Sequence, residues 1–176
     1  MPSPGSELRT GVQGLDEILC GGYQSSRVYL IEGEPGAGKT TLAFQFLREG
    51  CARGERGLYI ALSESRDELL HTAASHGWSL DGIDIFELVP PEFSLDPQHE
   101  QSVVYTADLE LGETVRIVMA EVERLRPKRI VFDSLAEIRL LAQTSLRYRR
   151  QVLALKYLFA KLGATGLLLD DMARPE

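Results

Sequence analysis

Eight residues, Gly33-Glu34-Pro35-Gly36-Ala37-Gly38-Lys39-Thr40, sit where an apolar run stops and a helical repeat begins. They satisfy the spacing G-x-x-x-x-G-K-[ST]. Upstream, Arg27-Val28-Tyr29-Leu30-Ile31 is β-branched and aromatic, is bounded by Gly21-Gly22 and Gly33, and reads as a buried strand. Downstream, Leu42, Ala43, Phe46 and Leu47 recur on one helical face, which ends near Gly50 or Gly54. In that setting, small residues let successive backbone N–H groups turn inward as an anion cup. The helix starting near Gly38 adds the positive end of its dipole, Lys39 reaches β- and γ-phosphates, and the Thr40 hydroxyl is placed to ligate Mg²⁺. Glu34, Pro35, Gly36, Ala37, Gly38, Lys39 and Thr40 are thus candidate nucleotide contacts. Lys39 is expected to face solvent when no ligand is bound.

The rest of the chain repeats the alternation. Leu58 to Leu62 is a second apolar strand, and Ser65-Arg66-Asp67-Glu68 has the Ser-x-x-Glu spacing of a capping box, opening a helix to about Ser75. Ile83 to Val89 reads as a third strand, closed by Pro90-Pro91. Residues 90 to 111 read as a long surface loop, with Val103-Val104-Tyr105 the only short strand candidate. Val115, Val118, Met119, Val122 and Leu125 mark a helix, Ile130-Val131-Phe132-Asp133 a strand ending in a carboxylate, and Val152, Leu155, Phe159 and Leu162 another helix. Leu167-Leu168-Leu169 is the last strand, before Asp170 and Asp171. Strands that are apolar throughout and alternate with helices point to an α/β fold with a parallel sheet covered on both faces.

Two carboxylates are candidates for chemistry beside the loop. Asp133, at the C-terminal end of its strand, is placed to hold a metal ion through water. The competing role is a helix N-cap, for which Ser134 is the other candidate. Glu64 follows the second strand and is placed to polarise a water attacking the γ-phosphate. A plain turn residue beside the capping box accounts for it equally well. His71, His76 and His99 share no ligand spacing, and Cys20 and Cys51 show neither metal nor redox spacing, so no zinc site is expected. Tyr23 and Trp78 read as core or edge aromatics.

Composition narrows the partners. Residues 1–115 carry 7 basic and 19 acidic side chains and residues 116–176 carry 12 and 7, for a net charge of −7 overall. An acidic chain gives little long-range attraction to a phosphate polymer, so nucleic acid is the less favoured partner. The basic final helix, with Arg147, Arg149, Arg150, Lys156 and Lys161, reads first as a solvated face and second as a contact with a neighbour's acidic surface. Apolar runs are too short to span a membrane, and the first residues lack a secretory pattern, so a cytoplasmic location is expected.

Gly11-Val12-Gln13-Gly14-Leu15-Asp16-Glu17-Ile18-Leu19-Cys20-Gly21-Gly22-Tyr23, followed by a strand and the Gly33 to Thr41 loop, resembles the opening of a KaiC domain in the RecA-like ATPase superfamily. The likeness continues through Tyr59 to Glu64, Gly77-Trp78, Arg129 to Ser134 and Leu162 to Thr165, covering roughly residues 9 to 171. It implies a three-layer RecA-like P-loop domain that binds ATP with Mg²⁺ and commonly assembles into hexamers with nucleotide at subunit interfaces. It also implies that Lys39, Thr40 and Thr41 touch phosphate and Mg²⁺, and that Asp133 is the Walker B carboxylate. KaiC domains often carry two adjacent glutamates where this chain has Ser63-Glu64, which leaves Glu64 as the sole candidate base and points to slow hydrolysis. Residues 1–8 are expected to be a flexible N-terminus, and residues 9–176 one domain that stops early, after the Leu167–Leu169 strand. The family's later strands, its basic residues acting in the neighbouring subunit and the clock protein's autophosphorylation therefore do not carry over. The first expectation is a slow ATPase coupling ATP or ADP binding to self-assembly and to unidentified protein partners. The alternatives are a nucleotide-dependent interaction module without turnover and a RecA/RadA-like DNA-binding ATPase.

Overall fold

Five of the apolar runs become the five strands of one parallel sheet. The computed structural model describes residues 7–88 and 111–171. The expected loop at 90 to 111, apart from its final residue, the strand candidate Val103 to Tyr105, and His99 lie outside them. In chain order the elements are β1 (Glu7–Leu8), α1 (Gln13–Ile18), β2 (Tyr23–Gln24), β3 (Val28–Gly33), α2 (Lys39–Ala52), β4 (Gly57–Ala61) and α3 (Arg66–Ser75). Then follow β5 (Ile83–Glu87), α4 (Leu111–Leu125), β6 (Arg129–Asp133), α5 (Leu135–Ala142), α6 (Ser145–Lys161) and β7 (Thr165–Asp171).

The large sheet has the order β3-β7-β6-β4-β5, and every pairing in it is parallel. Parallel strands need crossovers, and the helices supply them on both faces. Strand alternation divides the core in two. Leu58, Ile60, Ile130, Phe132 and Leu168 pack against α4, α5 and α6, whereas Tyr59, Ala61, Val131, Leu167 and Leu169 pack against α2 and α3. The result is the three-layer α/β arrangement expected of a RecA-like P-loop fold.

Local signals explain the element ends. Ser65 caps α3: its hydroxyl accepts from the Glu68 N–H while its own N–H donates to the Glu68 carboxylate at 2.7 Å, which completes the capping box. Three features differ from the sequence expectations. Glu7–Leu8 pairs antiparallel with Tyr23–Gln24, so two residues assigned to a flexible end form a small sheet. A helix, α5, occupies Leu135–Ala142, for which the sequence marked only a possible N-cap at Asp133 or Ser134 and not the helical body. β7 runs on through Asp170 and Asp171 because β3 beside it is long enough to pair them, Glu32 with Asp170 and Gly33 with Asp171.

Candidate functional site

The loop after β3 turns through left-handed backbone at Gly36 (φ +80°) and Gly38 (φ +91°), a region that L side chains rarely adopt. A Cβ at either position would meet nothing within 4 Å, so conformation, not crowding, demands glycine there. Glu34, Pro35, Gly36, Ala37 and Gly38 are all exposed, and α2 starts at Lys39 with Gly38 as its N-cap. No side chain caps that helix end. Its first N–H groups are therefore open toward an anion.

Lys39 does not face solvent as expected; its side chain is only 13% exposed. Nζ donates to the carbonyl oxygens of Gly33 (2.9 Å) and Glu34 (3.0 Å) and forms an ion pair with Asp171 Oδ1 at 2.8 Å. Three acceptors match the three protons of an ammonium, which is why a long, mobile side chain folds back under the loop. Asp171 was not singled out from the sequence. The signal available was its place beside Asp170 at the end of an apolar run, the same pattern that drew attention to Asp133.

Asp133 ends β6 on the α2 face and is 9% exposed. Ser134, not Asp133, occupies the N-cap position of α5, so the capping role for Asp133 falls away. Burial pushes its carboxyl up; the Tyr59 hydroxyl and Lys39 pull it down and Asp171 adds to the rise. Tyr59, on the neighbouring strand and diagonal to Asp133 across the β4–β6 register, donates to Asp133 Oδ2 at 2.5 Å. The ionisation of the Tyr59 hydroxyl is pushed far upward by burial and by Asp133, and Thr40 offsets a small part of that rise. Sequence reasoning passed over Tyr59 because a tyrosine in an apolar strand looks like core.

Glu64 lies just past β4 and is half-buried, so it is no plain exposed turn residue. Its Oε2 is buried with no hydrogen-bond partner among the described residues. Burial raises its carboxyl above the ordinary value, and Asp133 and then Glu68 add to the rise. Glu137 in α5 is pushed up in the same way, by burial and then by Asp171 and Asp133. Thr41 Oγ1 sits 3.5 Å from His76 Nε2, and His76 in turn stacks on Trp78 with ring centroids 4.7 Å apart.

The structure therefore brings Lys39, Thr40 and Asp133 to the C-terminal edge of the sheet, with Glu64 near enough to feel the Asp133 charge. The donors beside Thr40 are oxygens, the set a hard divalent cation such as Mg²⁺ takes in preference to zinc. The Glu64 oxygen without a partner among the described residues is a further polar atom left open near Asp133.

Comparison with known proteins agrees with this geometry. The family model described as ATPase: KaiC matches residues 8–176. The chain is similar to a UPF0273 protein of Thermotoga maritima, 29% identical over 96% of this chain and 71% of the relative. It is also similar to a UPF0273 protein of Sulfurisphaera tokodaii, 30% identical over 96% of this chain and 61% of the relative. A third relative is the circadian clock oscillator protein KaiC of Rippkaea orientalis, 33% identical over 77% of this chain but only 24% of that protein.

Proposed function

The chain belongs to the KaiC ATPase family, and on that premise we propose that it binds Mg-ATP in the Gly33 to Thr40 loop and hydrolyses it slowly to ADP and phosphate. The observation that carries this reading is the meeting of an open, uncapped helix start with Lys39, Thr40, a buried Asp133 and an unpartnered Glu64 oxygen.

Each residue has a task that follows from its chemistry. The loop N–H groups and the α2 dipole bind the phosphates, and Lys39 neutralises them by exchanging its Asp171 contact for a phosphate oxygen. Thr40 would hold magnesium directly and Asp133 through water; the ion supplies charge neutralisation on the phosphate oxygens. Glu64 Oε2 accepts a hydrogen bond from the attacking water and takes its proton. A raised carboxyl suits that role, because a base whose proton affinity lies nearer the working pH transfers protons more effectively. Ser63 is exposed and brings no second carboxylate, which fits slow turnover.

Nucleotide state is coupled to self-assembly in this reading. α6 exposes Leu146 (62%), Leu153 and Tyr157 (79%) among its basic residues, an apolar and cationic face suited to an acidic neighbour of the same kind. The test is phosphate release from the wild-type chain and from Glu64→Gln, with nucleotide affinity measured in parallel. A loss of about 10²- to 10⁴-fold in turnover at unchanged affinity is expected. Equal background rates in both proteins, with affinity intact, would leave a nucleotide-switched interaction module in place of an enzyme.

A further inference from the structure

Gly57–Ala61 is the driest strand beside the site, and its other residues are Gly, Leu, Ile and Ala. Tyr59 is the one polar-tipped residue in it and is 1% exposed. Its ring packs against Phe44 of α2, with centroids 5.6 Å apart. A phenylalanine would satisfy that packing equally well, so the hydroxyl needs its own explanation. It donates to Asp133 Oδ2, the carboxylate assigned to the cation, at 2.5 Å.

We propose that the Tyr59 hydroxyl is a positioning group for cation binding: by donating its hydrogen bond to Asp133 Oδ2 it holds that carboxylate in one orientation. The chemistry requires such a group. A carboxylate that holds metal-bound water needs its orientation fixed before the ion arrives. One buried phenol meets that need, and the pairing of strand β4 with β6 sets where it sits. Partners behind the ligands of a metal site typically change its affinity 10- to 100-fold when removed. The inference rests on the nucleotide-binding reading above.

The test is Tyr59→Phe, which keeps the ring and the Phe44 contact. Affinity for a fluorescent ATP analogue is measured with a chelator and with Mg²⁺, and the ratio of the two is the metal enhancement. Metal-free affinity is expected to match the wild type, which also reports that the variant folds, while the enhancement falls about tenfold or more. Phe44→Leu serves as the second variant, because it loosens the ring without removing the hydroxyl; it is expected to lower the melting temperature and keep the enhancement. A wild-type enhancement in Tyr59→Phe, or an equal loss in Phe44→Leu, overturns the positioning role while leaving nucleotide binding standing. Failure of the wild-type chain to bind the analogue under either condition removes the nucleotide reading itself, and this inference with it.

Discussion

Strand β6 begins with Arg129 and ends with Asp133, both buried, and the protein treats the two charges in opposite ways. At the start, the guanidinium donates to the carbonyls of Arg9 (2.6 Å) and Phe46 (2.9 Å), pairs with Glu55 at 2.5 Å and lies 4.8 Å from the Phe46 ring centroid. Room is made for it: a Cβ on Gly50 would fall 2.5 Å from Arg129 Cδ. Nη2 alone lacks a partner. At the other end, Asp133 has one neutral hydroxyl as hydrogen-bond donor, and burial holds its carboxyl above the ordinary range despite Lys39 nearby. Glu64 and Glu137 are raised with it. The difference separates two uses of buried charge. A charge surrounded by partners holds the fold in one arrangement, whereas carboxylates gathered without enough cations are stable only because the rest of the fold tolerates them, which is the usual condition of a working site.

Arg129→Ala tests the first half and is the largest effect expected. It leaves two carbonyls and Glu55 without their donor and opens a gap under Phe46 and Gly50. Breaking a buried pair from one side costs about 3 to 5 kcal/mol, a large share of a domain's roughly 5 to 15 kcal/mol. Denaturant unfolding should show that loss, while nucleotide affinity of the folded fraction stays near wild type. A normal midpoint with weakened nucleotide binding would reverse the assignment of the two ends.

Lys39→Ala is next and should act the other way round. Its ion pair with half-exposed Asp171 contributes about 1 kcal/mol or less to the apo fold. Its hydrogen bonds to phosphate are charge-assisted and worth roughly 1.5 to 3 kcal/mol, so affinity for ATP should drop about 10- to 100-fold. Because stabilisation by a ligand follows RT ln(1 + [L]/Kd), the ATP-induced rise in melting temperature should largely disappear. Calorimetry that finds unchanged affinity would move the phosphate site away from the Gly33 loop.

The contrast between these ends was only half legible in the sequence. Periodicity marked β3, β4, β6, α2 and α4, and the Ser65–Glu68 spacing located the start of α3, because those signals are local. Lys39, Thr40, Asp133 and Glu64 were visible as residue types at strand ends. What one strand's pattern cannot carry is its lateral neighbour. The order β3-β7-β6-β4-β5 sets Asp171 beside Gly33 and Tyr59 diagonal to Asp133, and both contacts depend on that order alone. Arg129 shows the same limit: an arginine at the start of a strand looks exposed until α2 is laid over it with a glycine at position 50. The body of α5 was not marked because Leu135 to Ala142 is only about two turns long, although Ser134 was a cap candidate for its start.

Glu64→Gln gives the smallest effect on stability and the sharpest test of the uncompensated end. Because its carboxyl is raised above 4.5 mainly by burial, the folded protein favours the protonated acid more than the unfolded chain does. The stability that Glu64 contributes is thus fully present below the unfolded value and is lost as pH rises through the folded one. Glutamine removes the charge and keeps the shape, and a neutral amide costs less to bury than a carboxylate. Solvent screens part of the penalty at a half-buried position, so at neutral pH the variant should melt higher by about 2 °C, corresponding to less than about 1 kcal/mol. That gain should shrink as pH falls toward 4.5 and vanish below it. Melting curves across this range check both sign and slope. A variant that is less stable at neutral pH, or a gain independent of pH, would mean that Glu64 is already satisfied in the resting fold, and the unpartnered oxygen would no longer distinguish this end of the sheet from the Arg129 end.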